Sequence, residues 1–289
     1  MSKPPVKRNT RGTLIIIGGH EDKDGECVIL NEVLKHLPAK KLVLTTVASQ
    51  EPESYFEDYQ KSFARLGLND LTHVYIADRS ESSSPEKLSA LHDICGVFFS
   101  GGDQLRISSQ IGDTPFETRI IDIYKNGGVI AGTSAGASVM AETMLIRGPN
   151  AESHRIGDLH MAPGMGLLRD VIIDQHFAER GRIGRLLGAV ALNPRILGIG
   201  IDEDTAIVVR RRKFEVIGSG AVYIVDGAGV TRSNITEAED RRTLSIHDVT
   251  LHVLSAGDHF DLRTRKPIVP QPAVTVEAAA PSKPRSRKQ

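Results

Sequence analysis

Ser134 lies in Gly132-Thr133-Ser134-Ala135-Gly136, directly after the small apolar run Val129-Ile130-Ala131. A serine in a G-x-S-x-G pattern between a strand and a helix occupies a sharp, strained turn that exposes its hydroxyl. The flanking glycines are required where a β-carbon would collide with the adjoining strand or helix. The next backbone N–H, that of Ala135, then faces the place where an oxyanion would form during acyl transfer. A tight strand-to-helix packing turn uses similar residues, so the rest of the chemistry must be present for the pattern to mean catalysis.

A serine hydroxyl at neutral pH needs a base, and the base needs a third group to orient it. His176 leads as the base because it directly follows the apolar run Val171-Ile172-Ile173, at the same strand-end level as Ser134. His20, His154 and His160 also fall in loops and compete for the role. Two carboxylates are candidates for the third group. Glu152 lies in the polar loop Gly148 to His154 after the elbow helix, and Asp174 lies two residues before His176, on its side of any continuing strand.

Other residues suit recognition. Arg180, Arg182 and Arg185 follow His176 closely, and guanidinium groups hold carboxylates in forked pairs. A solvated helix face would also place arginines at this spacing. The run Phe99-Ser100-Gly101-Gly102-Asp103-Gln104 resembles a phosphate turn but lacks the Lys-Ser/Thr ending of a P-loop and the spacing of a dinucleotide fingerprint. Its glycine pair can instead supply a second backbone donor to an oxyanion.

The elements that position these residues are read from hydrophobic pattern. Short apolar runs at Thr13 to Ile17, Lys41 to Thr46, His73 to Ala77, Gly96 to Phe99, Gly128 to Gly132, Val171 to Ile173 and Ile196 to Ile201 predict strands. Amphipathic stretches at Glu26 to His36, Glu53 to Leu66, Pro85 to Asp93, Thr114 to Lys125 and Ser134 to Thr143 predict helices between them. This alternation predicts an α/β fold with a doubly wound, mostly parallel sheet and helices on both faces. In such sheets ligands bind beyond the carboxyl ends of the strands, where Gly18-Gly19-His20, Ser100 to Gln104, Ser134 and Asp174-Gln175-His176 collect. Further short runs at Thr205 to Val209, Phe214 to Ile217, Ala221 to Val225 and Val249 to Leu254 predict an antiparallel C-terminal β extension.

With 289 residues, 40% of them hydrophobic, the chain has room for one large α/β domain, expected over residues 12 to 264. Residues 1 to 11 read as a flexible basic start, and 265 to 289, with five prolines and a basic end, as a disordered tail. Thirty-six basic and 36 acidic residues balance, which leaves no global field for nucleic acid or an anionic membrane. The apolar run after the basic start is too short for a secretory leader, and a cytoplasmic location is expected. Cys27 and Cys95 form no C-x-x-C, and no zinc-site spacing is present; a serine–histidine mechanism needs no metal or organic cofactor, and none is expected.

Taken together, Gly-Gly-His at 18 to 20, Phe-Ser-Gly-Gly-Asp-Gln at 99 to 104, Gly-Thr-Ser-Ala-Gly-Ala at 132 to 137 and Asp-Gln-His-Phe at 174 to 177 resemble the serine peptidase family that contains the cyanophycinases and dipeptidase E. The resemblance spans nearly all of residues 12 to 260. It implies a class I glutamine amidotransferase-like fold, with serine in place of cysteine, and a Ser134–His176–Glu152 triad. An oxyanion hole from the Gly102 and Ala135 amides is implied too. Gln104, Asp174, Gln175, Arg180, Arg182 and Arg185 are then expected at the substrate. The implied partner is cyanophycin, a poly-aspartate whose side-chain carboxylates carry arginine, and the implied product is the β-Asp-Arg dipeptide. A homodimer is implied as well. An aspartyl dipeptidase of the same family and a non-catalytic binding protein on this scaffold are the alternatives.

Overall fold

A computed structural model describes residues 11–147, 159–237 and 242–269. Five strands come first: β1 (Thr13–Ile17), β2 (Lys41–Thr45), β3 (Asp70–Val74), β4 (Gly96–Phe99) and β5 (Val129–Thr133). All five run parallel, in the spatial order β1-β5-β4-β2-β3. Apart from edge strand β3, their residues are almost entirely buried, Leu14 to Ile17 and Val97 to Phe99 completely so, as expected for strands covered on both faces. The covering helices are α1 (Val28–His36), α2 (Pro52–Arg65), α3 (Pro85–Ser89), α4 (Gln104–Ile111) and α5 (Pro115–Lys125). Ile29, Leu30 and Val33 of α1, with Tyr59 and Phe63 of α2, pack on one face; Ile107, Ile111, Phe116 and Ile120 of α4 and α5 pack on the other. Edge strand β3 ends at Val74 rather than Ala77, because its neighbour β2 ends at Thr45, the partner of Val74.

The elbow helix α6 (Ala135–Ser138) is a single turn, where the sequence pattern suggested a helix to Thr143. The Val139 and Met140 carbonyls, which would continue it, instead accept from the Met165 and Leu168 amides. Beyond it, β6 (Thr143–Arg147) and β7 (His160–Pro163) form a separate hairpin.

The next two strands depart from the expected single sheet. β8 (Val171–Gln175) and β9 (Leu197–Ile201), joined by α7 (Ile183–Leu192), are parallel to each other but belong to a second sheet. The later strands are then shared between the two sheets. β10 (Thr205–Arg210) and β11 (Lys213–Gly218) extend the first sheet antiparallel beyond β1, whereas β12 (Val222–Asp226) pairs with β9. After the short pair β13 (Arg232–Ser233) and β14 (Ile246–His247), β15 (Thr250–Leu254) completes a four-stranded sheet ordered β15-β12-β9-β8. β16 (His259–Asp261) and β17 (Lys266–Ile268) finish the nine-stranded one. The chain thus continues as a strand into the proline-containing segment expected to be disordered. β17 is an edge strand, where Pro267 is tolerated. The two sheets share a core in which Leu14, Ile16 and Ile130 join Ile173, Ile199 and Ile224.

Candidate active site

Three strand ends meet where the sheets touch. Ser134 follows β5, His176 follows β8 and Glu203 lies two residues beyond β9. The loop after β1 ties them together: the Ile17 carbonyl accepts from the Ser134 amide (3.1 Å), Gly18 from that of His176 (2.8 Å) and Gly19 from that of Asp204 (2.8 Å). Gly19 has φ +115°, and a β-carbon there would lie 2.2 Å from His176 Cε1, so only glycine lets the imidazole pass over this loop.

Ser134 has φ 52° and ψ −109°, the strained turn expected of an elbow. A β-carbon on Gly132 would fall 2.4 Å from the Gly136 carbonyl oxygen, and one on Gly136 2.5 Å from that of Phe99. The two glycines therefore permit the close strand–helix approach that pushes the hydroxyl outward. His20 and His176 also have φ 47° each, so the site concentrates backbone strain on the side chains it presents.

His176 Nδ1–H donates to Glu203 Oε1 at 2.6 Å, which leaves Nε2 to accept from the Ser134 hydroxyl at 2.9 Å. His20 Nδ1 lies 3.0 Å from the second oxygen of the same carboxylate, and its ring meets that of His176 edge-on at 5.1 Å. Burial holds the His176 pKa below its ordinary value, outweighing the Glu203 hydrogen bond that raises it. Burial pushes the Glu203 carboxyl up, but its bonds to His176 and His20 prevail and leave it below the usual carboxylate range. The imidazole is thus neutral and the carboxylate charged at neutral pH, the protonation states a serine-activating base requires. His20, His176 and Glu203 also bring three possible metal-ligand atoms within 4.8 Å of one another. His20 Nδ1 and His176 Nδ1 are each engaged by an oxygen of Glu203, and His176 Nε2 by Ser134.

Glu152 lies outside the described residues, and the carboxylate on His176 Nδ1 is Glu203. The cue in the sequence was the apolar run ending at Ile201. A residue just past it stands beside His176 once β8 and β9 pair in parallel, with Gln175 opposite Ile201. Asp202 secures this arrangement from behind, accepting from the Ala178 and Ala221 amides at 2.9 and 3.1 Å.

Asp174 does not reach His176. It is fully buried, and its carboxylate accepts from Arg182 Nη1 (3.2 Å), from Arg185 Nε (2.6 Å) and from Arg185 Nη2. Arg182 also donates to the Gln175 carbonyl (2.5 Å) and side-chain oxygen, and desolvation lowers its pKa to about 10, still charged at neutral pH. The three arginines are thus of two kinds. Arg182 and Arg185 are buried and paired, while Arg180 is exposed at the rim.

Ser134 opens onto a cavity of about 650 Å³, lined also by Gly102, Gln104, Gln175 and the three arginines. Gln104 is held by its Nε2 donating to the Leu145 carbonyl at 2.8 Å. The lining also includes a buried carboxylate that no pattern in the sequence marks. Glu21, 3% exposed, accepts from the Tyr59 hydroxyl and from Thr133 Oγ1 (2.6 Å), the residue before the nucleophile. Asp58 and Tyr55 stand beside it on α2. Ala135, at the first position of α6, has an amide with no acceptor inside its helix, and Gly101 packs against Ser134 with Gly102 following. Among the described residues no helix is long and apolar enough to cross a membrane.

This arrangement can be set beside known proteins. A protein named cyanophycinase from Geminocystis herdmanii is 36% identical over 267 residues, 91% of this chain and 98% of that protein. The cyanophycinase of Trichormus variabilis is 38% identical over 89% of this chain and 87% of its own. In structure, a peptidase from an acI-B1 Actinobacterium superposes with a TM-score of 0.68 over 88% of this chain and 98% of its own, at 21% identity, and so shares the fold. The profile of Peptidase family S51 matches residues 14–217, which hold Ser134, His176 and Glu203 alike, and the chain belongs to that family.

Proposed function

We propose that this protein is a serine-type exopeptidase that hydrolyses the poly-aspartate backbone of cyanophycin and releases β-Asp-Arg dipeptides. The observation that carries the chemistry is the continuous Ser134–His176–Glu203 chain of hydrogen bonds, of which Ser134 and His176 line the cavity. The substrate follows from the cyanophycinases that align over nine-tenths of the chain. The resemblance to class I glutamine amidotransferases, and a cytoplasmic homodimer, belong to the same reading.

In the proposed reaction His176 Nε2 takes the Ser134 proton as Oγ bonds to the scissile backbone carbonyl carbon. The Ala135 and Gly102 amides receive the oxyanion. When the C–N bond breaks, the proton on Nε2 passes to the leaving amine. Water then attacks the acyl-enzyme, His176 taking its proton and returning it to Ser134 as the ester C–O bond breaks. Glu203 keeps the imidazole in the required tautomer throughout and balances its transient charge.

The cavity walls suit the two charges of an arginine-bearing unit. Arg180 stands at the rim to hold a carboxylate, and Gln104 and Gln175 offer neutral contacts. In the same lining, Asp58 and the Tyr55 ring offer a carboxylate and a flat face to a guanidinium. Arg180→Ala is expected to lower kcat/KM on cyanophycin by about tenfold or more with little effect on stability. Arg185→Ala is expected to act on stability instead, at a cost of about 3–5 kcal/mol, because it leaves Asp174 incompletely paired in the interior. Steady-state kinetics and chemical denaturation of the two variants separate these outcomes.

The pH dependence has a fixed sign. His176 works only when neutral, and its pKa is depressed, so activity falls on acidification with a midpoint below about 6.5, the ordinary histidine value. A kcat/KM profile between pH 4 and 8 measures it. Incubation with cyanophycin and, separately, with α-aspartyl dipeptides, followed by mass spectrometry of the products, tests the substrate. Release of β-Asp-Arg is expected; cleavage of the dipeptides alone would favour the aspartyl dipeptidase reading.

A further inference from the structure

The opposite ends of the strands carry a second concentration of arginine. Arg169 precedes β8, Arg195 precedes β9, Arg212 lies in the turn between β10 and β11, and Arg263 and Arg265 lie between β16 and β17. Because β10 and β16 run against β1 and β11 respectively, all these turns fall at the rim away from Ser134 and His176. β8 alone separates the two rims by roughly 17 Å, at about 3.3 Å per residue. The five arginines line one cavity of about 300 Å³, and among the described residues Asp170 is the only acidic one in its lining. An adjoining cavity shares Arg169, Asp170 and Arg212 and adds Arg11, Lys125 and Arg211.

Only part of this charge is neutralised. Asp170 Oδ2 accepts from Arg212 Nη2 at 3.2 Å, and Asp226 accepts from Arg265 Nη1 at 2.8 Å. Arg265 also donates to the Arg195 carbonyl, which fixes the loop that presents Arg195. Asp261, on the strand before Arg263, is engaged by the Arg263 and Thr264 amides. Arg169 and Arg195 form no ion pair among the described residues, and both are exposed. In a chain of zero net charge, convergence of guanidinium groups from four separate turns on one cavity leaves a local positive excess suited to an added anion.

We propose that this cavity binds a compact, multiply charged oxyanion of the di- or triphosphate class. Phosphoryl oxygens suit several guanidinium forks at once, whereas a single carboxylate would leave most of the excess charge unmatched. The phosphate chain can be free or part of a nucleotide, since the cavity's charge recognises what the two share. The site is separate from the catalytic one and does not depend on the peptidase reading.

Isothermal titration of the full-length protein at low salt, with sodium tripolyphosphate and with ATP as probes, tests it. One-site binding is expected, weakened at least about tenfold in the Arg169→Glu/Arg195→Glu protein and unchanged in Arg180→Ala. Equal affinity for the two probes assigns recognition to the phosphate chain, and tighter ATP binding to a nucleotide. Single Arg195→Gln, which removes charge without reversing it, guards against a folding defect, and its affinity is expected to fall in the same direction. Absence of binding with both probes overturns the proposal. So does binding that survives in the double variant but disappears in Arg180→Ala, which would put the anion in the catalytic cavity.

Discussion

Ser134→Ala is expected to reduce cyanophycin hydrolysis by about 10⁴- to 10⁶-fold while leaving the fold and thermal stability essentially intact. The magnitude follows from the role: without Oγ no acyl-enzyme forms, and what survives is the contribution of oxyanion donors and binding to direct attack by water. The fold survives because the strained turn is imposed by Gly132, Gly136 and their backbone contacts rather than by the hydroxyl. Product release per unit time, with circular dichroism as a control, measures both. Activity within a factor of ten of the parent would remove Ser134 from the mechanism.

The second large effect is expected at Glu203. Glu203→Gln keeps the side-chain shape but removes the charge, and its amide can present a donor to Nδ1, favouring the tautomer that leaves no free lone pair at Nε2. A fall in kcat of about 10³- to 10⁴-fold with KM little changed is expected, since Glu203 acts on the imidazole rather than on the substrate. Its exposure is modest and its bonds are to His176 and His20, so no comparable loss of stability accompanies the change. Glu203→Asp, one methylene shorter, is expected to recover part of the rate, which a structural role alone would not explain. Single-turnover kinetics of the three proteins gives the comparison.

Ser134 and His176 were legible in the sequence because each is announced by local pattern, one by the small residues of its elbow and the other by the apolar strand it follows. Glu203 was not. It stands between Asp202 and Asp204, and nothing in residue type says which of three neighbouring acids faces an imidazole 27 positions away. That depends on β8 and β9 pairing in parallel within a second sheet. The expected single sheet hid this, because alternating strands and helices read the same in one sheet or two.

The arginines were legible as a group but not as individuals. Arg182 and Arg185 are drawn inside by Asp174, eight and eleven residues earlier, and a carboxylate at the end of an apolar strand carries no sign of what will neutralise it. Arg180, three residues before the helix, stays outside. The second-sheet and edge strands were legible down to about Leu254; β16 and β17 are too short to show a period and exist because each is paired in register to its neighbour.

The relay itself is tested most directly by labelling with a fluorophosphonate serine reagent, followed by intact-mass measurement and peptide mapping. One adduct per chain, on Ser134, is expected, with labelling abolished in Ser134→Ala and slowed by orders of magnitude in Glu203→Gln. Absence of an adduct, an adduct on another serine, or labelling of Glu203→Gln at the parent rate would contradict a nucleophile activated through His176 and Glu203.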